Sequence, residues 1–240
     1  MLYVMSDIHG HLQRFESIME QIKLDEGDHL FVLGDVIDIH PNGIQILQKL
    51  LRMPNVTVLL GNHELMMCRS VCKSATDAAL NLWFKNGGKP TDEAWKKLTF
   101  PEQVEIIYKL QRCPLNTQIE IGGKIYLLAH GSPMELFNPA TSKYNHPEAH
   151  TVWARIEPHD EMPKGKLVIF GHTPTYIYQP VVLMVVWVGK QKIAIDCGSG
   201  CEYGGRLACL RLDDMKVFYS EEKKENRFMV QKKDGAGEGL

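Results

Sequence analysis

The chain has 240 residues, of which 44% are hydrophobic and 23% charged, and its formal net charge at pH 7 is −2. These values are ordinary for a globular protein that is large enough to bury a full core. The near-neutral balance gives no sign of a nucleic-acid-binding face or of a face for membrane surfaces, and the longest apolar run, 181–188, is too short to span a bilayer. We therefore expect neither nucleic acid nor membrane as a partner.

The cysteine content and the N-terminal sequence indicate the cellular compartment in which we expect the protein. The six cysteines are Cys68, Cys72, Cys113, Cys197, Cys201 and Cys209. Their number and spacing in a chain of this size favour free thiols over a disulfide framework, and no two pairs have the two-residue gaps of a structural zinc site. Met1 leads directly into a predicted strand with no signal peptide, so we expect a cytoplasmic protein.

The first 64 residues repeat one arrangement three times: a short apolar strand ends at a cluster of glycine and polar residues. The predicted strands Leu2–Met5, His29–Leu33 and Val56–Leu60 are followed by Asp7 and His9, by Asp35 and Asp38, and by Asn62 and His63. The stretches between them carry apolar residues at helical spacing. Parallel strands joined by right-handed crossovers direct their carboxyl ends to one edge of a sheet. The sequence therefore predicts that these polar side chains meet at that edge, where open α/β sheets bind ligands.

Residues 65–112 interrupt the parallel rhythm. Helices are predicted over 65–73, over 77–84, after a cap at Thr91, and over 101–110. The segment is therefore interpreted as a helical insertion beside the site. A wall that selects substrates and plain structural packing are equally open interpretations of it.

The second half returns to strands, and two of them end in histidine. A hairpin is predicted over 115–120 and 124–129, directly before His130, and a buried strand over 167–170 leads to Gly171 and His172. Residues 133–165 are rich in proline and are predicted to form a long surface loop. Further strands are predicted over 180–188, 192–195, 206–212 and 215–219, and the charged, glycine-rich tail 220–240 is expected to fray.

The polar residues at the strand ends are typical metal ligands. Taken singly, His130 or His172 is better explained as a hydrogen-bonded core residue, so the prediction depends on the whole set. Its members are Asp7, His9, Asp35, Asn62, His130 and His172. Oxygen and nitrogen donors without a thiolate suit Mn, Fe or Zn, and the donors outnumber what one ion needs. We therefore predict two divalent ions, with Asp35 as the bridging carboxylate of a centre that could hydrolyse a phosphate ester.

His63 and Asp38 suggest proton transfer at the same place. An imidazole with a pKa near working pH suits protonation of a leaving oxygen, and a carboxylate such as Asp38 could orient it. The alternative is that both residues only hydrogen-bond to metal ligands.

The order of these motifs resembles that of the calcineurin-like metallophosphoesterases. The matching motifs are Asp7-x-His9, Gly34-Asp35-x-x-Asp38, Gly61-Asn62-His63-Glu64, His130 and Gly171-His172, joined by Trp83-x-x-Asn86-Gly87-Gly88-x-x-Thr91, Trp153-Ala-Arg155 and a glycine-rich stretch over 195–207. Within the family the chain is similar to the phosphoprotein-phosphatase branch of bacteria and phages, which includes the symmetrical diadenosine tetraphosphatases. The resemblance extends to about Tyr219.

The resemblance implies a fold and a set of roles. The fold would be an α/β, four-layer α-β-β-α sandwich over 1–219, with the helical insertion 65–112 after the third motif. One ion would be bound by Asp7, His9 and Asp35, and the other by Asp35, Asn62, His130 and His172. His63 paired with Asp38 would be the general acid, and Arg155, with Asn62, would bind the substrate phosphate. Mn is the expected metal, with Fe or Zn as alternatives.

One position departs from the family pattern. The family has an arginine directly after the second aspartate, where this chain has Ile39. Loss of a guanidinium that binds phosphate should weaken binding by a few kcal/mol unless another group, such as His40 or Asn42, replaces it.

Several functions follow from the resemblance, and the first is hydrolysis of phosphomonoesters by metal-bound hydroxide in a Ser/Thr protein phosphatase. The alternatives are a symmetrical dinucleoside polyphosphate hydrolase and a non-catalytic scaffold of the same fold, which only the change at Ile39 favours. A nuclease would need a basic groove, of which the charge balance gives no sign.

Overall fold

The computed structural model describes residues 1–179, 184–201 and 204–221. Its strands are β1 (Leu2–Met5), β2 (His29–Val32), β3 (Val56–Val58), β4 (Asn116–Ile121), β5 (Lys124–Ala129), β6 (Lys166–Phe170), β7 (Trp187–Gly189), β8 (Lys192–Ala194), β9 (Ala208–Arg211) and β10 (Lys216–Tyr219). Its α-helices are α1 (Leu12–Ile22), α2 (Gly43–Arg52), α3 (Asn62–Val71), α4 (Asp77–Lys85), α5 (Lys89–Trp95), α6 (Phe100–Leu110) and α7 (Pro147–Trp153). Two 3-10 turns span Met134–Leu136 and Thr175–Ile177.

Two five-stranded mixed sheets carry the fold. The strand order is β10-β9-β1-β2-β3 in the first sheet and β4-β5-β6-β8-β7 in the second. In the first sheet β1, β2 and β3 are parallel, and Met5, Val32 and Val58 lie in register at their carboxyl ends. In the second sheet β5, β6 and β8 are parallel in the same way. Each sheet therefore has one edge where several strands end together, as the sequence predicts for the first.

Apolar side chains hold the sheets and helices together. Between the sheets, Val4 and Leu33 of the first pack with Leu128 and Ile169 of the second, all fully buried. These residues form continuous apolar runs because both faces of the strands are covered. On the other face of the first sheet, the helices bury a larger cluster that includes Phe15.

The predicted α/β fold class is confirmed. The layer that covers the outer face of the second sheet consists mainly of 3-10 turns and irregular segments. Leu136, Ile156, Met162 and Tyr178 pack on this face and come from 3-10 turns and irregular segments rather than from long helices. Because each of these segments buries only one or two apolar residues, the sequence shows no helical periodicity there from which this layer could be predicted.

Some predicted element boundaries were wrong. The predicted loop 133–165 contains α7, in which Pro147 occupies the first helical turn, where its missing N–H is no loss. Helix α3 begins at Asn62 instead of 65, and α5 begins at Lys89, so Thr91 lies inside the helix and does not cap it.

Other predictions fall partly outside the described residues. Of the predicted strand over 180–188, residues 180–183 lie outside them, and the strand that is described there is β7. The expectation of a frayed tail concerns residues of which only 220 and 221 are described. In the described part of the chain, no helix combines the length and hydrophobicity needed to cross a membrane.

Candidate metal centre

Asp35 lies at the middle of a cluster that combines both sheets. Its Oδ2 atom is 3.3 Å from Nε2 of His130, which follows β5 of the second sheet. The same oxygen is 3.7 Å from Nε2 of His63 and 3.9 Å from Nε2 of His9, which belong to the first sheet's edge. The Asn62 Oδ1 atom is 2.9 Å from His130 Nε2. The two edges thus meet at one carboxylate.

The ligand atoms divide into two buried or half-buried groups that share Asp35. One group is His9, Asp35 and His63, and the other is Asp35, His130 and His172. Within each group the ligand atoms lie within 4.8 Å of one another. A carboxylate shared between two sets of nitrogen donors is the arrangement that a bridged two-metal centre requires.

Hydrogen bonds leave specific histidine nitrogens available to a metal. Nδ1 of His9 is 3.2 Å from the Ile37 carbonyl oxygen, and Nδ1 of His130 is 2.8 Å from that of Leu33. A carbonyl can only accept, so these Nδ1 atoms carry a hydrogen, and a metal ion would bind the Nε2 atoms, displacing the proton where one is held. His172 is reversed, because its Nε2 is 3.2 Å from the Trp153 carbonyl oxygen. Such orientation of ligands through their second nitrogen is usual at metal sites, so these residues fit divalent ions.

The Asp7 carboxylate lies beside the first ligand group and contacts both halves of the site. Its carboxylate accepts hydrogen bonds from the Ser6 hydroxyl and from the His172 backbone N–H, the latter at 3.0 and 3.2 Å. Asp7 Oδ1 lies 3.9 Å from His9 Nε2. Asp7 therefore links the end of β1 to the loop after β6, and His63 stands in the group where the resemblance implied Asp7.

The backbone around the cluster is strained. Asp7, His9, Asp35, Asp38 and His172 all have a positive φ, between 52° and 71°. Few residues other than glycine adopt this conformation, and such outliers gather at functional sites. Gly61 is required for a different reason: a Cβ atom there would overlap Asp35 Oδ1 and lie 2.5 Å from the Asp35 nitrogen. The tight backbone lets Asp35 reach the centre of the site.

Glu64 holds these loops in place, and the sequence analysis gave it no role. Its fully buried carboxylate accepts backbone N–H bonds from Asp35 and Val36 at 2.9 Å, from Gly61 at 3.1 Å and from Ile37 at 3.3 Å. Burial, followed by the charge of Asp35, raises the pKa of Glu64 to about 7. The available signal was a glutamate three residues after a helix N-cap, the spacing of a capping box.

His63 and Asp38 form a direct pair. His63 Nδ1 is 2.7 Å from Asp38 Oδ2, which also accepts a 2.9 Å hydrogen bond from the Trp83 indole N–H. The Asp38 backbone N–H donates to the Thr91 hydroxyl at 2.9 Å. Burial opposes the charged imidazole, but Asp35 and then Asp38 outweigh it and raise the pKa of His63 to about 9. Helix α4 thus holds the Asp38 carboxylate through Trp83, and α5 holds the Asp38 backbone through Thr91.

The electrostatics of the cluster centre on the Asp35 carboxylate. Burial disfavours its charge, yet His130 and His63 outweigh burial and hold the pKa of Asp35 well below its ordinary value. Burial opposes the charge of His130 as well, but Asp35 raises the pKa of His130 to about 10. Burial, and then a neighbouring histidine, lower the pKa values of His9 and His172 to about 3. The site therefore attracts positive charge and contains two neutral imidazoles that are ready to act as ligands.

Arg155 lies close to the cluster in an exposed position after α7. Its charge adds to burial and to the charge of His130 in lowering the pKa of His172. Within the described part of the chain the Arg155 guanidinium has no hydrogen bond or ion pair. It borders a cavity of about 290 Å³ that is also lined by Lys143, Tyr144 and Trp153. A free guanidinium next to the ligand groups is suitably placed for an anion.

The residues after Asp38 do not supply a second guanidinium. The side chain of Ile39 is 39% exposed. The His40 ring packs edge-on against His11, and its Nε2 is buried. Asn42 occupies the N-cap position of α2 and makes no side-chain capping bond.

Two curated proteins are similar in sequence to a little more than half of this chain. Over 143 residues the chain is 26% identical to the symmetrical bis(5'-nucleosyl)-tetraphosphatase of Proteus mirabilis (strain HI4320), covering 59% of this chain and 48% of that protein. Over 133 residues it is 29% identical to serine/threonine-protein phosphatase 2 of Escherichia coli (strain K12), covering 54% and 57%. The chain thus spans about half the length of the curated relatives it matches.

A solved structure and a family profile cover more of the chain. A protein serine/threonine phosphatase from Saccharomyces cerevisiae has a TM-score of 0.58 at 14% identity, over 92% of this chain and 79% of that one, which shows a shared fold. The profile of the calcineurin-like phosphoesterases matches residues 1–223. The chain therefore belongs to the calcineurin-like phosphoesterase family, as its motif order implied.

Proposed function

We propose that this protein hydrolyses phosphate esters at a centre of two divalent metal ions. The observation that carries the proposal is the position of Asp35, which is shared by two groups of buried nitrogen donors. Around it stand the hydrogen-bonded pair His63 and Asp38 and the cation Arg155, whose charge acts on His172. Metal ligands, an acid and an anion-binding group are the components that phosphoryl transfer to water needs.

Oxygen and nitrogen ligands favour Mn²⁺, with Fe or Zn as alternatives. The ions would be held by Asp7, His9, Asp35, Asn62, His130 and His172, with His63 next to them. When bound, such ions supply Lewis acidity toward the phosphoryl group and the attacking water.

The remaining steps fall to side chains of this protein. His63 donates the proton to the leaving oxygen, because Asp38 holds Nδ1 and leaves Nε2 facing the cluster. Asp38 stabilises the positive imidazole, as the carboxylate does in a catalytic triad. Arg155 and Asn62 bind phosphoryl oxygens and orient the ester for attack.

The test is hydrolysis of p-nitrophenyl phosphate by metal-stripped protein to which Mn²⁺ is returned. We expect activity that depends on the metal. The variant His63→Ala should lower kcat by about 10²–10⁴-fold while the bound metal is unchanged, and Asp35→Asn should lose both metal and activity. Folded protein that binds two ions and shows no turnover would contradict the proposal.

For the substrate we propose a Ser/Thr phosphoprotein, in line with the similarity to serine/threonine-protein phosphatase 2 of Escherichia coli. A second candidate, a dinucleoside polyphosphate, is favoured by the cavity beside Arg155. Its lining combines the cation Lys143 with the aromatic rings of Tyr144 and Trp153, and Lys143 Nζ lies 5.2 Å from the centre of the Tyr144 ring. A second phosphate and a nucleobase would find a charge and stacking surfaces there.

Competition between a phosphothreonine peptide and diadenosine tetraphosphate decides between these substrates. If the cavity receives a nucleotide, Lys143→Ala and Tyr144→Ala lower kcat/KM for the dinucleotide about tenfold or more and leave the phosphopeptide unaffected. The control is Lys164→Ala, which removes an exposed lysine outside this cavity. Equal effects of the three substitutions on both substrates would exclude the cavity as a nucleotide site.

A further inference from the structure

Ile39 occupies a turn that is unfavourable for isoleucine. Its φ is +67°, and the His40 N–H donates to the Asp38 carbonyl oxygen at 2.8 Å, across Ile39. A hydrogen bond between residues two apart, with positive φ at the centre, defines the rarer and more strained form of γ-turn. A β-branched residue with positive φ is a genuine outlier. The Ile39 N–H donates to the Gly87 carbonyl oxygen at 3.0 Å, which holds the turn against the insertion.

The Ile39 side chain lies at the rim of the metal centre. A Cβ atom built on Gly200 would be 2.8 Å from Ile39 Cδ1 and 2.8 Å from Cδ2 of the His9 ring. A Cβ atom on Gly87 would be 3.1 Å from Ile39 Cγ1. Ile39 therefore lies across two glycines, beside a histidine of the first ligand group. We call Ile39, Gly87 and Gly200 the apolar rim.

Neither the turn nor the core explains an isoleucine here. Glycine and asparagine adopt a positive φ at lower cost and would place Asp38 and His40 equally well. The side chain is 39% exposed, so its removal would not leave a closed cavity in the core. Strain in the backbone together with exposed apolar surface, next to charged ligands, indicates a functional contact.

We propose that Ile39 is a specificity-determining residue that contacts the leaving group of the substrate. The apolar rim presents no side-chain hydrogen-bond donor or charge, so it favours an apolar or aromatic group on the scissile phosphate over a hydroxylated one. Phosphate recognition is left to Arg155, Asn62 and the metal ions. This inference rests on the proposed phosphoesterase function and adds the chemistry of the leaving group to it.

The test compares Ile39→Asn with wild type in the full, Mn²⁺-loaded chain. Two substrates are used: phenyl phosphate, with an apolar leaving group, and glycerol 2-phosphate, with a hydroxylated one. We expect the ratio of their kcat/KM values to fall about tenfold, because the phenyl ring loses its apolar contact. We also expect Tm to rise by about 2–4 °C, since asparagine tolerates the turn. The matched variant Ile39→Val keeps a branched apolar side chain and should keep most of the wild-type ratio.

A structural role predicts different results. An equal loss of activity on both substrates together with a lower Tm would overturn the inference, and so would an unchanged ratio in an active enzyme. Absence of turnover by the metal-loaded wild type would overturn the proposed function and this inference with it. The wild-type measurement therefore separates the two failures.

Discussion

At the scale of single residues, Asp38 shows how much of the site depends on hydrogen bonds from distant parts of the chain. The sequence predicted that Asp38 orients His63, and the two side chains lie 2.7 Å apart. Trp83 and Thr91 complete the environment of Asp38. In the sequence both stood out as motif residues and Thr91 also as a helix cap, but neither was expected to contact Asp38. Their contacts could not be predicted because they cross more than 40 positions of the chain.

Replacement of the buried Thr91 tests this support. Thr91→Val keeps the shape of the side chain but leaves the buried Asp38 N–H without its acceptor, which should lower the free energy of unfolding by about 1–3 kcal/mol. We also expect kcat to fall because Asp38 loses its position, with less effect on KM. Urea unfolding and steady-state kinetics measure the two effects. Thr91→Ser keeps the hydroxyl and should stay close to wild type; equal behaviour of both variants would contradict the role.

At the scale of elements, the sequence left open whether the insertion 65–112 selects substrates or only packs against the domain. The structure shows that the insertion also contacts Asp38. Helix α4 supplies Trp83 and α5 supplies Thr91, so these helices fix Asp38 from behind. Helical periodicity predicted that the helices exist, since an amphipathic pattern is local. The packing of the helices on the sheet decides which polar atom each helix directs at the site. Local sequence patterns do not predict that packing.

Helix α7 should make stability depend on pH. It contains His150, whose ring is buried and lies 3.1 Å from the Ser132 hydroxyl, and burial lowers the pKa of His150. The unfolded chain then binds more protons than the folded one below about pH 6.5, so the free energy of unfolding falls as the pH decreases through that value.

The variant His150→Gln removes this group, so its unfolding free energy should decrease less than that of wild type between about pH 7.5 and pH 5. Chemical denaturation at each pH measures the difference. His159→Gln, at an exposed histidine, serves as the control and should follow wild type. A decrease as large in His150→Gln as in wild type would exclude His150 as the source.

At the scale of the whole molecule, the candidate metal centre lies where the two sheets meet. Asp35 and His9 come from the first sheet, and His130 and His172 follow strands of the second. Ions bound to ligands from both sheets would therefore stabilise the packing between them, because the unfolded chain cannot assemble the site.

We expect Mn²⁺ at about one hundred times its dissociation constant to add about 2.7 kcal/mol per bound ion to the free energy of unfolding. For a chain of this size that corresponds to a rise in Tm of roughly 5–11 °C. Thermal unfolding at graded Mn²⁺ concentrations measures it. Asp35→Asn should abolish the rise, whereas Asp77→Asn, at an exposed carboxylate outside the site, should retain it. A rise that persists in Asp35→Asn would place the stabilising ion elsewhere.

The sequence by itself determined the elements whose signal is local. The strands β1, β2 and β3 appear as apolar runs, and the polar residues that end them predicted one common edge, because parallel strands joined by crossovers must end together. Motif order also identified the family, which the profile match confirms. These features depend on short stretches of chain and on general rules of handedness.

Only the tertiary structure decided the rest. The approach of His130 to Asp35, the four backbone bonds to Glu64, and the strained turn that presents Ile39 all arise from packing between segments remote in sequence. Hydrophobic periodicity shows which face of an element is buried but not which partner it meets. For that reason the candidate ligands, and Asp35 as the carboxylate between them, could be predicted from the sequence, while the distances between them required the packed sheets.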